Sequence, residues 1–446
     1  MNATAALLRR PESAFAQSGA APWITRVACG CFLVACLAVY GIDTIAPART
    51  GSAYIVVHAA LTVAMLAAWA AGGSAQARLI VASGIVARLI LIAAPMLSSN
   101  DAERYLWDGA VALAGFDPYS VPPADPMVAG LRAVWATPPE HAAYPTLYPP
   151  VALAIFAGSA LAGPVWGIWV WKLVASIASI VVVPLALRLL RRHGLERHLA
   201  LVALSPLLVL EVGVGAHVDS LIALVIVAAL LAFEARRPGL VGALLGLGAC
   251  IKLLPVAALV GLGLAMGWRA TLRMGATATG TVVAIYGAAL SIGWHPIGSL
   301  PVFFEKWRNG SPLFTVLEAT LPTPTLIIVI AILAISLLGG ALLLGRAQPL
   351  LATQVAIATP LLLSPVAFPW YLLALVPLAA LAPSVTLLGW LTLSPLVYEV
   401  RDRFVSEGIW MPASWPLALI AAGWITGLAI DTMCARHRLA VKNREA

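Results

Sequence analysis

The chain has 446 residues, of which 61% are hydrophobic and only 10% charged, with a mean hydropathy of +0.96. That is too little polar surface to enclose a water-soluble core, so lipid must be the solvent, and the absence of alternating polarity excludes a membrane β-barrel. The net charge of +8 sits in short basic clusters between apolar stretches (Arg9-Arg10, Arg188 with Arg191-Arg192, Arg236-Arg237, Arg269 with Arg273, Arg436 to Arg444), which is a topology signal and excludes a nucleic-acid surface.

In chain order, a polar N-terminal tail over 1–22 precedes apolar spans at 23–42, 54–72 and 78–97, followed by the longest hydrophilic interruption, 98–148, with seven prolines. The apolar segment 150–163 is only about fourteen residues long and is broken from the next helix by Gly163-Pro164, which reads as a re-entrant or half-spanning segment. Further spans are predicted at 165–187, 198–216, 217–234, 239–252, 254–268, 275–292, 324–345, 349–366, 367–382, 385–400 and 414–432. The expectation is an all-α polytopic membrane protein with about 11–13 transmembrane helices, in a single domain over 23–435. A basic cytoplasmic tail over 436–446 follows. Placing the basic clusters in the cytoplasm puts 98–148, His217-Val218-Asp219, the 293–323 loop, Pro369-Trp370-Tyr371 and Arg401–Arg403 together on the outer side. The five cysteines lie in or beside apolar segments and signal neither disulfides nor a zinc site.

The 98–148 loop opens with Ser99-Asn100-Asp101-Ala102-Glu103-Arg104-Tyr105-Leu106-Trp107-Asp108-Gly109. Helical spacing puts Asp101, Arg104, Tyr105 and Asp108 on one face of an expected interfacial amphipathic helix, which Gly115-Phe116-Asp117-Pro118-Tyr119 ends. Asn100 and Glu103 stand at capping-box spacing. Asp101 beside Arg104 and Tyr105 suits a general base towards a sugar hydroxyl, with Asp108 a second candidate. Next, Glu211, His217 and Asp219 cluster at a helix-to-helix turn inside apolar sequence; intramembrane charges face a cavity or each other, and two ligands are too few to define a metal. Lys252, ahead of Pro255, either holds a phosphate or snorkels to headgroups, and Arg88 raises the same ambiguity. The loop Trp294-His295-Pro296 to Ser311 mixes rings and polar groups, as both carbohydrate platforms and interfacial belts do.

In this order the segments resemble the GT-C superfamily of polytopic glycosyltransferases, in particular the bacterial mannosyltransferase-like group that includes glycosyltransferase family 87. The likeness runs from about residue 80 to 375, through Asn100-Asp101, Arg104 to Gly109, Gly115 to Tyr119, Tyr148-Pro149-Pro150, Glu211, His217, Asp219, Lys252 to Pro255, Trp307-Arg308-Asn309-Gly310 and Pro369-Trp370-Tyr371. The resemblance implies inverting transfer of a hexose, mannose in the nearest group, from a polyprenyl-phosphate donor to a lipid or glycan acceptor, at the periplasmic side of the bacterial inner membrane. It implies Asp101 as catalytic residue with Asp108 second, and Lys252 and Arg104 on the donor phosphate. It further implies Tyr105, Glu211, His217, Asp219, Trp307, Asn309, Trp370 and Tyr371 on substrates. Asn100 stands where relatives often carry an acid, and His-Val-Asp where Asn-Asp or His-Asn-Asp is commoner, so Mg or Mn dependence stays open. A lipid or sugar flippase or transporter is the alternative, and it would string its charges along a central path.

Overall fold

Backbone in lipid must satisfy its own N–H and C=O groups, and helices do so within one segment. The computed structural model describes residues 21–445, so the expected tail over 1–22 lies almost wholly outside the described residues. The principal helices are α1 (Ala21–Ala38), α2 (Thr50–Ala71), α3 (Ala77–Leu91), α4 (Asp101–Leu113), α5 (Pro150–Ala160), α6 (Gly163–His193) and α7 (Pro206–Gly213). They are followed by α8 (Asp219–Glu234), α9 (Pro238–Ala249), α10 (Trp268–Ser291), α11 (Thr323–Leu344), α12 (Pro349–Leu363), α13 (Val385–Leu393) and α14 (Ser414–Glu445). A 3-10 segment, Pro369–Leu375, lies between α12 and α13. The basic stretch expected as a tail continues α14.

Seven helical stretches among the described residues are long and apolar enough to cross a bilayer alone: Pro22–Ile45, Thr50–Ala71, Ser74–Leu91, Gly163–His193, Trp268–Ser291, Thr323–Leu344 and Ser414–His437. The protein is a multi-pass membrane protein. The other predicted spans are real apolar runs, but they are divided into shorter helices. Proline provides the physical reason: Pro206, Pro238, Pro255, Pro349 and Pro369 stand at helix starts, where the missing N–H costs nothing and a preceding helix cannot continue. Hydropathy registers the apolar run and is blind to the break. The 11-residue α5 rises only about 16 Å, roughly half the hydrocarbon thickness, before the chain turns at Leu161-Ala162 into α6.

The broken helices lie towards the centre with α2, α3 and α6, and the long helices α10, α11 and α14 lie at the periphery. In α10, α11 and α14 only 17%, 11% and 11% of the most apolar window is covered by protein, which leaves those faces to lipid. By contrast, α7 is buried along its whole length, between α6, α3, α2 and the 3-10 segment. Arg88 resolves one ambiguity of the sequence. It does not snorkel but is 1% exposed, with Nε donating to Ser179 Oγ (2.7 Å) and Nη1 to the carbonyls of Gly84 and Ala203 (2.7 Å each), joining α3 to α6 and to the Ala200–Ala203 turn. Carboxylates fasten two helix starts from a distance. Asp402 accepts from the N–H groups of Gly51 (2.7 Å) and Ser52 (2.9 Å) at the start of α2, and Asp431 from those of Val385 (2.9 Å) and Thr386 (3.0 Å) at the start of α13.

Candidate active site

Four chain segments meet at one end of the bundle, beside the 98–148 loop. The second loop is tied to the first by His295 on Asp117 (2.8 Å), by Ser299 Oγ on the Pro145 carbonyl (2.7 Å) and by the rings of Trp307 and Tyr144 (5.0 Å between centroids). A short parallel bridge pairs Asn309 with Val366, ahead of the 3-10 segment.

At the start of α4 two details differ from the sequence expectation. Asn100 does not form a capping box with Glu103: its amide donates to Glu140 (2.8 Å), and Ser99 Oγ accepts from the Asp101 N–H instead (3.2 Å). Nor does α4 lie along the interface with one face in water. From Arg104 to Val111 every residue is buried, because α5 packs on one side and the prolyl loop folds over the other, where Trp107 and Val111 meet Val121 and Val128. Gly109 permits the α4–α5 approach; a Cβ there would stand 2.5 Å from the Phe156 backbone.

That burial separates the two candidate carboxylates. Asp108 is 2% exposed and paired with Arg104 Nε (2.8 Å), while Arg104 Nη1 and Nη2 donate to the carbonyls of His141 (3.2 Å) and Tyr144 (2.8 Å). Arg104 is therefore held as a clamp on the loop, its side chain only 8% exposed, and Asp108, two turns or about 10 Å along the helix from Asp101, sits on that clamp. Burial raises the Asp108 carboxyl above its ordinary range, and Arg104 only partly offsets this.

Asp101 keeps 23% side-chain exposure and faces the turn between α7 and α8. That turn is tight: Ala216 takes a left-handed φ of 52°, its carbonyl fixed by Trp171 Nε1 (2.6 Å), and the close approach of the His217 ring and Ser98 to Gly215 leaves no room for a side chain there. His217 results fully buried, Nδ1 3.4 Å from Asp101 Oδ2 and Nε2 3.6 Å from Glu211 Oε2, its ring stacked on Trp370 (3.8 Å, 10° between planes). Tyr105 lies under Asp101, with Oη 3.4 Å from Oδ2, and is held by stacking on Phe156 and by Tyr148 (3.5 Å between hydroxyls). Burial alone would raise the Asp101 carboxyl, but the hydrogen bond and charge of His217, with His141 and Lys252 nearby, hold it below its ordinary value.

Asp219 opens α8 and is 1% exposed, while Lys252, just beyond α9, meets both its oxygens (2.7 and 3.0 Å) and keeps 21% exposure over the Tyr371 ring. Glu211 stands one layer deeper than a substrate residue would. It is completely buried, with Tyr398 Oη (2.6 Å), His58 Nε2 (3.3 Å) and His217 around it. Asn309 is 5% exposed with neither amide atom hydrogen-bonded in protein; it borders a cavity of about 10 Å³ shared with Ser98, Phe368, Trp370 and Tyr398. Among the described residues no three His, Cys, Asp or Glu side chains gather as a metal site, and Asp219 is paired with Lys252. His58, Tyr398 and Tyr148 were not singled out as site residues from sequence. A lone histidine in the middle of an apolar span was the available signal for His58.

A multi-pass helical protein with a carboxylate, a lysine and stacked rings gathered at one end of the bundle fits membrane enzymes of the GT-C type. Residues 23–268, more than half of the chain, match the family described as alpha-(1->6)-mannopyranosyltransferase, N-terminal domain, and the chain belongs to that family. A protein of Mycolicibacterium smegmatis (strain ATCC 700084 / mc(2)155), named "Probable alpha-(1->6)-mannopyranosyltransferase", is 29% identical over 364 residues. The aligned region is 66% of this chain and 63% of that relative's length. No solved structure matches the chain.

Proposed function

We propose that the protein transfers a mannosyl residue, with inversion, from a polyprenyl-phosphate donor to a hydroxyl of a lipid or glycan acceptor, at the periplasmic face of the bacterial inner membrane. One observation carries the reading: of the ionisable groups gathered around His217, Asp101 and Lys252 keep side-chain exposure, 23% and 21%, whereas Asp219, Glu211 and His217 are buried. One accessible base and one accessible cation are what a glycosyl transfer to a hydroxyl from a phosphate ester requires.

In this mechanism Asp101, ionised at neutral pH, accepts the proton of the acceptor hydroxyl as that oxygen attacks the anomeric carbon. The bond from that carbon to the phosphate oxygen breaks through an oxocarbenium-like transition state, and its electron pair leaves with the polyprenyl phosphate. Lys252 offsets the charge growing on the phosphate, and Asp219 with Tyr371 aims the ammonium. Tyr105 steadies the Asp101 carboxylate. Trp307 carries the sugar-facing ring surface in this reading, with Trp370 and the Asn309 amide behind it, both buried. The two partly exposed groups, Asp101 and Lys252, lie together beside the 98–148 loop, which favours transfer over transport.

The test is a transfer assay on purified protein with a panel of polyprenyl-phosphate sugars, GDP-mannose and extracted cell lipids. Transfer from polyprenyl-phosphate mannose is expected. Transfer from GDP-mannose alone would overturn the donor assignment, and substrate movement without a glycosylated product would overturn the enzyme.

A further inference from the structure

The buried side of His217 holds an arrangement that the transfer step leaves unused. Glu211 is completely enclosed, yet three side chains converge on it: Tyr398 Oη at 2.6 Å and His58 Nε2 at 3.3 Å, with His217 Nε2 at 3.6 Å. These come from elements far apart in sequence, His58 from α2, Glu211 from α7 and Tyr398 from the turn before the Glu399–Glu407 helix. Tyr54 packs edge-on against both His58 and Tyr398 (4.8 and 5.0 Å), and His58 stacks on Tyr398. A carboxylate fully out of water is costly, so a site of this kind persists where it holds a partner in place.

We propose that Glu211 is a positioning residue for the transfer reaction: its carboxylate, 3.6 Å from His217 Nε2, sets the orientation of the ring so that Nδ1 faces Asp101 Oδ2 at 3.4 Å, and His58 and Tyr398 fix Glu211 in turn. The proposal rests on the reading of Asp101 as general base. The ring cannot swing, because Trp370 covers its face and Ser99 Oγ lies 3.5 Å from Nε2. With Nε2 directed at Glu211, Nδ1 is the ring nitrogen facing Asp101, 3.4 Å from Oδ2, and a histidine held there favours the ionised carboxylate. Other charged and titratable groups reach the chain from neighbouring elements. Lys252, Asp219 and His141 act on Asp101, and Arg401, itself near Asp43 and Asp402, acts on Tyr54 and Tyr398.

The full-length protein in nanodiscs provides the test, read as separate kcat and KM values across pH with polyprenyl-phosphate mannose. For Glu211→Gln, kcat should fall by about 10- to 100-fold with KM within about threefold, and the acid limb of kcat should move towards neutral pH, because Asp101 loses part of what holds it ionised. Glu211→Asp should recover part of the rate, and Tyr398→Phe should shift the profile the same way by less. Nitrogen NMR of labelled His217 should show an altered proton distribution in Glu211→Gln, a readout that needs no donor. A folded Glu211→Gln protein with wild-type kcat, pH profile and His217 spectrum would overturn the proposal, as would a rise in KM alone. Should Glu211→Gln fail to fold, Tyr398→Phe carries the same test. An active Asp101→Asn protein would instead overturn the general-base reading, whatever Glu211 does.

Discussion

Lys252 Nζ lies 2.7 Å from Asp219 Oδ1 and 3.6 Å from the centroid of the Tyr371 ring, so a lysine just past one helix is locked to the first residue of another. Asp219 is 1% exposed and pairs with no other Lys or Arg among the described residues, whereas Lys252 keeps 21% side-chain exposure. Removing the lysine should therefore do two separable things. Lys252→Met strands a buried carboxylate, which costs about 3 kcal/mol, and also removes the cation for the leaving phosphate. The double variant Lys252→Met with Asp219→Asn should recover most of the thermal stability but not the transfer rate. Recovery of both would show that the lysine is structural only.

Asp101→Asn should lower transfer by roughly 10²- to 10⁴-fold while leaving the melting temperature in detergent nearly unchanged, since this side chain is partly exposed and the amide keeps an oxygen towards His217. Because His217 holds the Asp101 carboxyl below its ordinary range against the opposing effect of burial, the base stays ionised as pH falls. The acid-side loss of kcat in the wild type should accordingly lie below the usual range of a free aspartate. Wild-type activity in Asp101→Asn would sink the assignment.

Arg104 should prove a loop clamp. Arg104→Lys keeps the charge yet cannot reach Asp108 and the carbonyls of His141 and Tyr144 at once. Hydrogen exchange over 138–148 should rise in that variant, with a modest loss of rate, and Arg104→Ala should be worse because Asp108 is left buried without a partner. Unchanged exchange in the loop with a large rise in donor KM would restore Arg104 to the phosphate.

The contact between Asp117 and His295 ties the two loops together and should depend on pH. Burial would raise the Asp117 carboxyl, but Ser120, His295 and the Tyr119 N–H together bring it below its ordinary value. A depressed carboxyl contributes stability that is complete above the unfolded-state value and is lost as pH falls through the lower folded value. His295 is 75% exposed, so the tie contributes less than about 1 kcal/mol. Asp117→Asn should loosen 117–121 and 293–299 in hydrogen exchange at neutral pH, and the difference from wild type should vanish in acid.

Gly109→Ala tests the α4–α5 approach. The added methyl would meet the Phe156 backbone, which cannot yield as a side chain could, so a loss of about 1–3 kcal/mol and of Tyr105 stacking is expected. Tryptophan fluorescence of Trp171, which packs edge-on to Tyr105, should report it. An unperturbed melting temperature would mean that the helices can separate at no cost.

Composition and apolar run length by themselves determined that this chain is a helical multi-pass membrane protein, because lipid leaves the backbone only helices or a closed barrel, and unbroken apolar runs lack the alternating polarity of a barrel. The ionisable residues that the bilayer disfavours were equally legible, since an Asp, a His or a Lys stands out against apolar sequence wherever it falls. Only the tertiary structure decided how they divide. Asp101 and Asp108 sit on the same helix at helical spacing, and nothing local distinguishes them. The folding of a prolyl loop over α4 is what buries one against Arg104 and leaves the other beside His217. Glu211 and His58 lie 153 positions apart, and their meeting depends on how α2 packs against α7, which no periodicity along either helix records. The breaks in the central helices belong to the same class. Proline marks where a helix can start, but whether two half-helices bend inward to hold a site or stack into one span is settled by the neighbours against which they pack.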